Sequence, residues 1–327
     1  MTSKSRLLAA TAMTFGLGVL GAHDAAAEWK PFKPVEFIIM AGQGGGADRL
    51  ARFIQSIVEK HDLSPMPFIP INKGGGSGAE GLRYLKDKEG DPHVIMATLN
   101  SYYTTPLRQP EVGVDISEFT PIARLAEDYF VLWVSADSPD KDLDSYVANV
   151  KEKGKKWRMG GTGTGQEDSL VTTMLENDLG LTMTYVPFKG GGDVAKALIG
   201  DHIESTVNNP SEQMGFFEAD KSRPIAAFTE ERIAAFPDTP TFKELGHPDL
   251  VYQMQRSVVA PGGIDKDVQD FYINVFKQVY ESQEWQDYCK SEALECAWLA
   301  DGELQDYFMK EQEKHRKILQ DMGELPS

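Results

Sequence analysis

A short apolar strand, a glycine-rich loop and a helix follow one another repeatedly along the chain, and this order restricts the fold more than any other feature. The sequence predicts strands over 35–41, 67–71, 93–99, 130–135, 156–160, 184–187, 203–208, 224–228 and 251–260. It predicts helices over 47–60, 79–88, 143–152, 166–179, 193–199, 265–282 and 302–322. Alternating strands and helices are typical of an α/β protein with mostly parallel sheets.

The two halves of the chain share this pattern, which predicts two domains with a ligand cleft between them. The long C-terminal helices have no strands of the second half left to cover, so we expect the chain to cross back to the first domain. The predicted first domain is therefore discontinuous, 28–125 plus 245–327, and the second domain is 126–244. Each domain would have a central sheet flanked by helices, and the two crossing segments would form a hinge.

Residues 1–27 have the pattern of a secretory signal peptide. Two basic residues precede a mostly apolar stretch over 7–21, and a run of small residues ends at Ala27 before the polar Glu28. The apolar stretch is short for a membrane anchor, which needs about 20 residues. We therefore expect cleavage near Ala27–Glu28 and a periplasmic protein.

The charge of the chain restricts its partners. The 327 residues include 33 basic and 50 acidic side chains, which gives a formal net charge of −17. Nucleic acids and anionic membranes bind clustered Lys and Arg, so this balance argues against both as partners.

The only two cysteines of the chain, Cys289 and Cys296, lie close together in the sequence. In an exported protein such a pair is expected to form a disulfide, and two buried free thiols are the alternative. A zinc site is not predicted, because the chain has no Cys-x-x-Cys motif and no histidine pair nearby.

Four glycine-rich loops each follow a predicted strand and precede a predicted helix. They span 43–47, 74–78, 161–166 and 189–192. Glycine lets backbone N–H groups approach a ligand closely, and a helix N-terminus adds about half a positive charge. Because ligands of open α/β sheets bind at the carboxyl ends of the strands, we expect these loops to hold an anion there. Tight turns that only need a positive φ are the alternative interpretation.

Other sites that use glycine-rich loops fit the sequence less well. Residues 42–47 match the dinucleotide pattern G-x-G-x-x-A, but the next strand ends in Asn72-Lys73 rather than in an acid. Ser77 lies in a segment close to a nucleophile elbow, but the final glycine and a paired histidine are missing. The sequence has no P-loop and no metal-binding motif. We therefore predict no catalytic residue, no metal, no cofactor and no enzymatic activity.

Four segments occur in the order of the motifs of one protein family. Residues 44–48, with Ala51-Arg52 after them, are similar to that family's first-loop signature. Residues 72–78 resemble its Asn-Arg-Pro-Gly-x-Gly-Gly loop, and residues 186–190 resemble its Val-Pro-Tyr-Lys-Gly segment. Residues 237–246 are similar to its most diagnostic stretch. The chain thus resembles the Bug-type, TctC-like solute-binding proteins of tripartite tricarboxylate transporters over nearly all of its length after the leader.

This resemblance implies a two-domain Venus-flytrap protein with a small organic carboxylate in its cleft. In the family, the loop after the first strand and the glycine-rich loop of the second domain hold one carboxylate through backbone donors and ordered water. Variable residues read the remainder of the ligand, so a mono-, di- and tricarboxylate all stay open. The expected ligand-binding residues are Gln43, Gly44, Gly45, Gly46, Ala47, Asp48, Gly76, Ser77, Asn100, Ser101, Gly163, Thr164, Gly165, Gln166, Lys189, Gly190 and Asn208.

Several of these side chains have expected roles. Gln43 and Gln166 would supply hydrogen bonds, while Lys189 would pair with a second carboxylate or remain solvated. Asp48 would support the ligand site or stabilise the start of its helix. Asn208 is neutral and argues against an amino-acid ligand, whose ammonium group needs a carboxylate partner.

The function implied by the resemblance is extracytoplasmic solute binding. The partners would be a small organic anion and the large and small membrane subunits of the transporter, to which a monomeric binding protein delivers its ligand. A ligand-sensing module of a two-component system, built on the same fold, is the alternative.

Overall fold

The structure is a computed structural model that describes residues 29–325, so the predicted signal peptide lies outside the described residues. The strands are β1 Val35–Ile39, β2 Phe68–Asn72, β3 Val94–Thr98, β4 Thr120–Tyr129, β5 Val131–Ser135, β6 Arg158–Thr162, β7 Thr184–Phe188, β8 Ser205–Thr206, β9 Ser222–Ala227, β10 Gln253–Ala260 and β11 Glu295–Ala300. The α-helices are α1 Gly46–Lys60, α2 Ala79–Lys86, α3 Ser101–Arg108, α4 Leu143–Lys153, α5 Glu167–Leu179, α6 Gly191–Ile199, α7 Pro210–Glu218, α8 Lys266–Glu281, α9 Gln283–Ser291 and α10 Asp301–Asp321.

The strands form two separate sheets with helices packed against them. The first sheet has the order β11-β4-β10-β3-β1-β2, and the second has the order β7-β6-β8-β5-β9. The chain passes from the first sheet to the second at Phe130 and returns between Ala227 and Gln253. The limits of the two domains stay a prediction, and these two connecting segments are the places where the predicted hinge would lie.

Both sheets are mixed, so the expectation of mostly parallel sheets is wrong. Parallel pairing is confined to β1 with β2 and β3, and to β6 with β7 and β8. The remaining pairs are antiparallel: β10 with β3 and β4, β11 with β4, and β5 with β8 and β9. The sequence pattern missed β4, because Arg124, Glu127 and Asp128 interrupt the apolar pattern of this partly buried strand. Those charges are paired, Arg124 with Glu127 and Asp128 with Arg256.

Apolar patterning explains why the remaining elements form where they do. β3 is buried along its whole length, as expected for a central strand covered on both faces. In α1 the buried side chains recur with the helical period at Leu50, Ile54, Ile57 and Val58. Helices α8 and α10 both pack against β4 of the first sheet, so the C-terminal segment returns to cover that sheet.

The C-terminal region contains the expected disulfide, between Cys289 of α9 and Cys296 of β11. The bond closes a short loop where the helix turns back into the edge strand of the first sheet. Among the helices within 29–325, none combines the length and the apolar character needed to cross a membrane.

A buried chain of hydrogen bonds fixes α10 to the first sheet. Asn100 Nδ2 donates to the hydroxyl of Tyr252 at 3.1 Å. That hydroxyl is 3.1 Å from Nε2 of His315, whose Nδ1 lies 2.8 Å from the carbonyl oxygen of Glu311. Donation from Nδ1 to the carbonyl leaves Nε2 as the acceptor, which is the arrangement of a neutral imidazole. Burial lowers the pKa of His315 to about 4.

The lowered pKa of His315 predicts that the folded protein loses stability in mild acid. In the unfolded chain its pKa is about 6.5, so the unfolded state binds the proton first as the pH falls. The stabilisation that the neutral form of His315 gives to the folded state is fully present above about pH 6.5. It is lost as the pH falls from there towards 4. Between pH 7.5 and pH 5 the free energy of unfolding should fall by about 2 kcal/mol through this residue alone.

Urea unfolding at the two pH values measures this effect. His315→Gln should remove about 2 kcal/mol of the pH dependence, whereas His202→Gln, at an exposed position, should retain all of it. An unchanged pH dependence in His315→Gln would show that His315 does not govern this transition.

Candidate functional site

A cavity of about 40 Å³ lies between the two sheets, at the carboxyl ends of several of their strands. The side of the first sheet contributes Ala41, Gly42, Gly45, Gly46, Ala47, Leu99, Met254 and Arg256. The side of the second sheet contributes Thr162, Gln166, Glu167, Asp168, Gly190, Gly191, Asn209 and Glu212. The cavity is therefore bounded by both halves of the molecule.

Four helices begin at this cavity. The N-cap residues of α1, α5, α6 and α7 are Gly45, Gln166, Gly190 and Asn209, and all four line it. None of these N-caps satisfies its helix through a side-chain hydrogen bond. The first N–H groups of a helix have no partner within the helix, and each terminus has about half a positive charge. The cavity thus concentrates backbone donors and positive potential in one place.

Two glycines at these helix starts allow charged groups to approach the backbone. A Cβ at Gly46 would lie 2.8 Å from Nη2 of Arg256, and one at Gly191 would lie 1.9 Å from Oε2 of Glu212. Neither glycine has a positive φ. At both positions glycine is needed for space rather than for a turn. Other glycines of the loops, Gly44, Gly76, Gly78, Gly163 and Gly165, do have a positive φ, as the tight-turn interpretation expects.

Arg256 is the basic side chain that lines the cavity. Its Nε donates to Oδ2 of Asp128 at 3.1 Å and its Nη2 donates to the same oxygen, and both residues are buried. Burial raises the pKa of Asp128 to about 6, although the guanidinium beside it acts in the opposite direction. Within the described residues Nη1 donates to no protein group, so one edge of the guanidinium is free to bind a ligand.

Three carboxylates on the side of the second sheet, which is called the second half of the molecule here, face the same cavity and accept backbone N–H groups. Glu212 Oε1 accepts from Gly46 at 3.1 Å, and Glu167 accepts from the N–H of Ser101. Asp168 Oδ2 accepts from the N–H of Thr162 at 2.7 Å, and both residues lie on the same side of the cleft. Glu212 and Glu167 therefore link the second half to helix starts of the first. Burial raises the pKa of both Glu167 and Asp168.

The structure brings some of the predicted ligand-binding residues to the cavity and leaves others outside it. Gly45, Gly46, Ala47, Gln166 and Gly190 line it. The others do not: Gln43, Gly44, Asp48, Gly76, Ser77, Asn100, Ser101, Gly163, Thr164, Gly165, Lys189 and Asn208. Among these, the side chains of Gln43, Thr164 and Lys189 are exposed to solvent.

Asp48 stabilises the first glycine loop. Its Oδ2 accepts from the N–H of Gly44 at 3.0 Å, and its Oδ1 accepts from Arg52 and Asn72. Burial alone would raise the pKa of Asp48, but these hydrogen bonds lower it overall. The carboxylate therefore fixes the shape of the loop.

The predicted asparagines are also engaged within the protein. Both polar atoms of Asn100 bond to β10 or to Tyr252 beside it. Asn208 Nδ2 donates to Oε2 of Glu212 at 2.7 Å, so it positions a carboxylate that faces the cavity. Ser77 joins the loops of the two halves, because its Oγ donates to the carbonyl oxygen of Thr164 at 2.7 Å.

Sequence reasoning missed the charged residues of the cavity, although each left a signal. Glu167 and Asp168 come directly after the third glycine loop, in the first turn of α5. Glu212 lies on α7, a helix marked by Asn209-Pro210, with proline in the first turn. Arg256 is a charged residue inside a strand that is otherwise buried. No group of three or more His, Cys, Asp or Glu within 29–325 is arranged to hold a metal ion.

The bond between Glu212 and Gly46 predicts that Glu212 holds the two walls of the cleft together. Glu212→Ala should give a larger radius of gyration by small-angle scattering, because the first turn of α1 loses its acceptor from the second half. Glu212→Gln retains an acceptor oxygen and should change the scattering less. Glu218→Ala, at an exposed position on the same helix, is the control. Identical scattering from all the variants would exclude this role for Glu212.

Comparison with known proteins identifies relatives over most of the chain. The UPF0065 protein in the gbd 5' region of Cupriavidus necator is 25% identical over 97% of this chain and 95% of its own length. Protein BugT of Bordetella pertussis is 23% identical over 81% of each chain.

Solved structures share the fold. The periplasmic binding protein BugD has a TM-score of 0.85 at 21% identity, covering 91% of this chain and 100% of its own. Rpa4515 of R. palustris with adipate has a TM-score of 0.85 at 21% identity, covering 91% and 99%. MatC from Rhodopseudomonas palustris with bound malate has a TM-score of 0.81 at 19% identity, covering 88% and 99%. These matches confirm the predicted α/β binding-protein fold, with two helix-flanked sheets.

The family described as the tripartite tricarboxylate transporter family receptor matches residues 51–324. This match confirms the resemblance seen in the sequence motifs, and a receptor family agrees with the prediction that the protein is not an enzyme. The chain belongs to the tripartite tricarboxylate transporter receptor family.

Proposed function

We propose that this protein is a periplasmic solute-binding protein that captures a small organic carboxylate in the cleft. It then delivers the ligand to the large and small membrane subunits of a tripartite tricarboxylate-type transporter. The observation that carries the proposal is the convergence of four helix N-termini and Arg256 on one cavity.

The free edge of Arg256 and the start of α1 form the carboxylate site of this proposal. Arg256 lines the same wall of the cavity as Gly46 and Ala47, whose N–H groups begin α1. Nη1 is the guanidinium nitrogen that Asp128 leaves unused. A partly buried helix N-terminus stabilises a negative charge by up to about 2 kcal/mol. To reach these donors, the ligand carboxylate displaces Glu212 from the N–H of Gly46. The adipate and malate bound by two proteins of the same fold support a dicarboxylate-sized ligand.

Ligand entry requires the walls of the cleft to separate. The cavity of about 40 Å³ is far smaller than the roughly 300 Å³ at the lower end of ligand pockets. Separation about the connections at Phe130 and at 228–252 would open the site, and closure around the ligand would give the form that the membrane subunits bind. The predicted signal peptide over 1–27 and the periplasmic relative BugD support the location.

A thermal-shift screen of residues 28–327, freed of bound ligand, tests the proposal. Mono-, di- and tricarboxylates are compared at equal concentration. An acid at about 100 times its dissociation constant should stabilise the protein by about 2.7 kcal/mol, which raises the melting temperature by several degrees. Failure of every carboxylate to shift the melting temperature of the folded, empty protein would contradict the proposed function.

Substitutions at the carboxylate site should weaken the binding of the best acid from that screen. Arg256→Lys removes the planar fork, and Gly46→Ala places a methyl group against Nη2 of Arg256. A hydrogen bond to a charged group contributes about 1.5 kcal/mol or more, so each change should raise the dissociation constant about tenfold. Gly215→Ala, where a Cβ meets open space, is the matched control for calorimetric titration. Wild-type affinity in both site variants would place the ligand elsewhere.

A further inference from the structure

The loop that the disulfide closes packs against the second half of the molecule. It runs from Cys289, near the end of α9, to Cys296 in β11, an edge strand of the first sheet. Ala293, between the two cysteines, is 6% exposed and belongs to the apolar cluster formed mainly by the second sheet and α6. Glu295 Oε2 accepts from the hydroxyl of Tyr129, the residue that ends β4 before the chain crosses to the second sheet, at 2.9 Å. The loop therefore contacts the second half beside one of the two connecting segments.

The shape of this loop depends on the disulfide. Ala293 has a φ of 55°, which is uncommon for a residue with a side chain and persists only where the surroundings impose it. After α9 the N–H of Leu294 turns back and donates to the carbonyl oxygen of Cys289 at 2.8 Å. A bond between residues seven apart excludes the more open conformations of such a loop. We therefore expect the loop to lose this conformation when the disulfide is absent.

The same loop binds a side chain that joins the two halves. Oε2 of Glu292 accepts from Nη2 of Arg49 at 2.9 Å, and the same Nη2 donates to the carbonyl oxygen of Ser211 at 2.6 Å. Arg49 lies in the first turn of α1 and Ser211 in the first turn of α7. The guanidinium thus connects the disulfide-closed loop and α1, both of the first half, to the helix of the second half that begins at the cavity.

Arg49 acts beside Glu212 on the same two helix starts. Glu212 follows Ser211 in α7 and accepts from the N–H of Gly46 in α1. In the proposed binding step, the ligand carboxylate displaces Glu212 from Gly46 and this link is lost. Arg49 is not among the residues that line the cavity, so its bond to Ser211 is outside the reach of the ligand. It can hold the start of α7 against α1 while the site is occupied.

We propose that Arg49 is a positioning residue that holds the walls of the cleft together, and that the disulfide-closed loop orients it through Glu292. Loss of the disulfide releases Glu292, Arg49 is no longer fixed towards Ser211, and the walls separate more often. The ligand site is thereby regulated from outside the cavity. This effect on ligand binding rests on the proposed function, whereas the link between the walls exists without a ligand.

Amide hydrogen exchange of the ligand-free chain 28–327 tests the link. The N–H groups of Gly46 and Ser101 begin helices and donate to carboxylates of the opposite half, so they exchange when the walls separate. Arg49→Met removes the bridging donor and should speed exchange at both amides about tenfold, as expected for the loss of a charge-assisted hydrogen bond. Arg49→Lys retains a charged donor and should restore part of the protection. Faster exchange at Gly46 alone would show local loosening of α1 and would overturn the role in wall separation.

The part played by the disulfide is tested through its coupling to Arg49. Glu292→Ala, which retains the disulfide, and the double change Cys289→Ala with Cys296→Ala should each speed exchange at the same two amides. Adding Arg49→Met to the cysteine changes should have little further effect, because the two changes act through one contact. Lys60→Gln is the matched control, since it breaks an ion pair between α1 and α9 within the first half and should leave exchange at both amides unchanged.

The outcomes separate this inference from the proposed function. Wild-type exchange in both Arg49→Met and Glu292→Ala overturns the inference. Effects of Arg49→Met and of the cysteine changes that multiply in the combined variant contradict the route from the disulfide to Arg49. Because the exchange is measured without ligand, none of these results depends on whether a carboxylate binds. Failure of the carboxylate screen contradicts the proposed function and leaves the link between the walls standing.

Discussion

The convergence of four helix N-termini on one small cavity is the constraint on which the rest of the site depends. Each terminus brings unpaired N–H groups and positive potential into a space with little solvent, and buried donors must find acceptors. In the structure Glu212 supplies an acceptor at Gly46, the start of α1, and Glu167 supplies one at Ser101, the start of a further helix, α3. Because these carboxylates come from the second half and their donors from the first, the same electrostatics that would attract a ligand also hold the walls of the cleft together.

The buried pair of Arg256 and Asp128 fixes the other charged element of the site. Asp128 lies near the end of β4, and the antiparallel pairing of β4 with β10 places its carboxylate beside Arg256. Removing one partner of such a pair typically costs about 3–5 kcal/mol, because the other charge stays buried without compensation. The pair engages Nε and Nη2 of the guanidinium and leaves Nη1 without a protein acceptor among residues 29–325, and the absence of a side chain at Gly46 leaves room for Nη2. A strand-pairing feature of the fold thereby determines the direction of a binding group.

The sequence predicted those parts of the fold that follow from local apolar patterning. The glycine loops, the strands before them and α1, α5 and α6 lie close to their expected positions, since strand, loop and helix are contiguous in the chain. β4 was missed because charged residues in a short segment suggest a solvent-exposed loop. Only the structure shows that these charges are paired, within β4 and with Arg256 of β10. The acids of the cavity were missed for a related reason: the sequence shows a helix start with Glu167, but only the packing of the two halves shows which donor it accepts.

Amide spectra of the isotope-labelled mature chain test the central claim most directly. The ligand-free protein is titrated with the carboxylate that gives the largest thermal shift. The account predicts that the amide resonances of Gly46 and Gly191, which begin α1 and α6, shift most and saturate at one ligand per chain. Saturable binding that leaves both resonances unmoved and shifts amides remote from the cavity would contradict the assignment of the cleft as the ligand site.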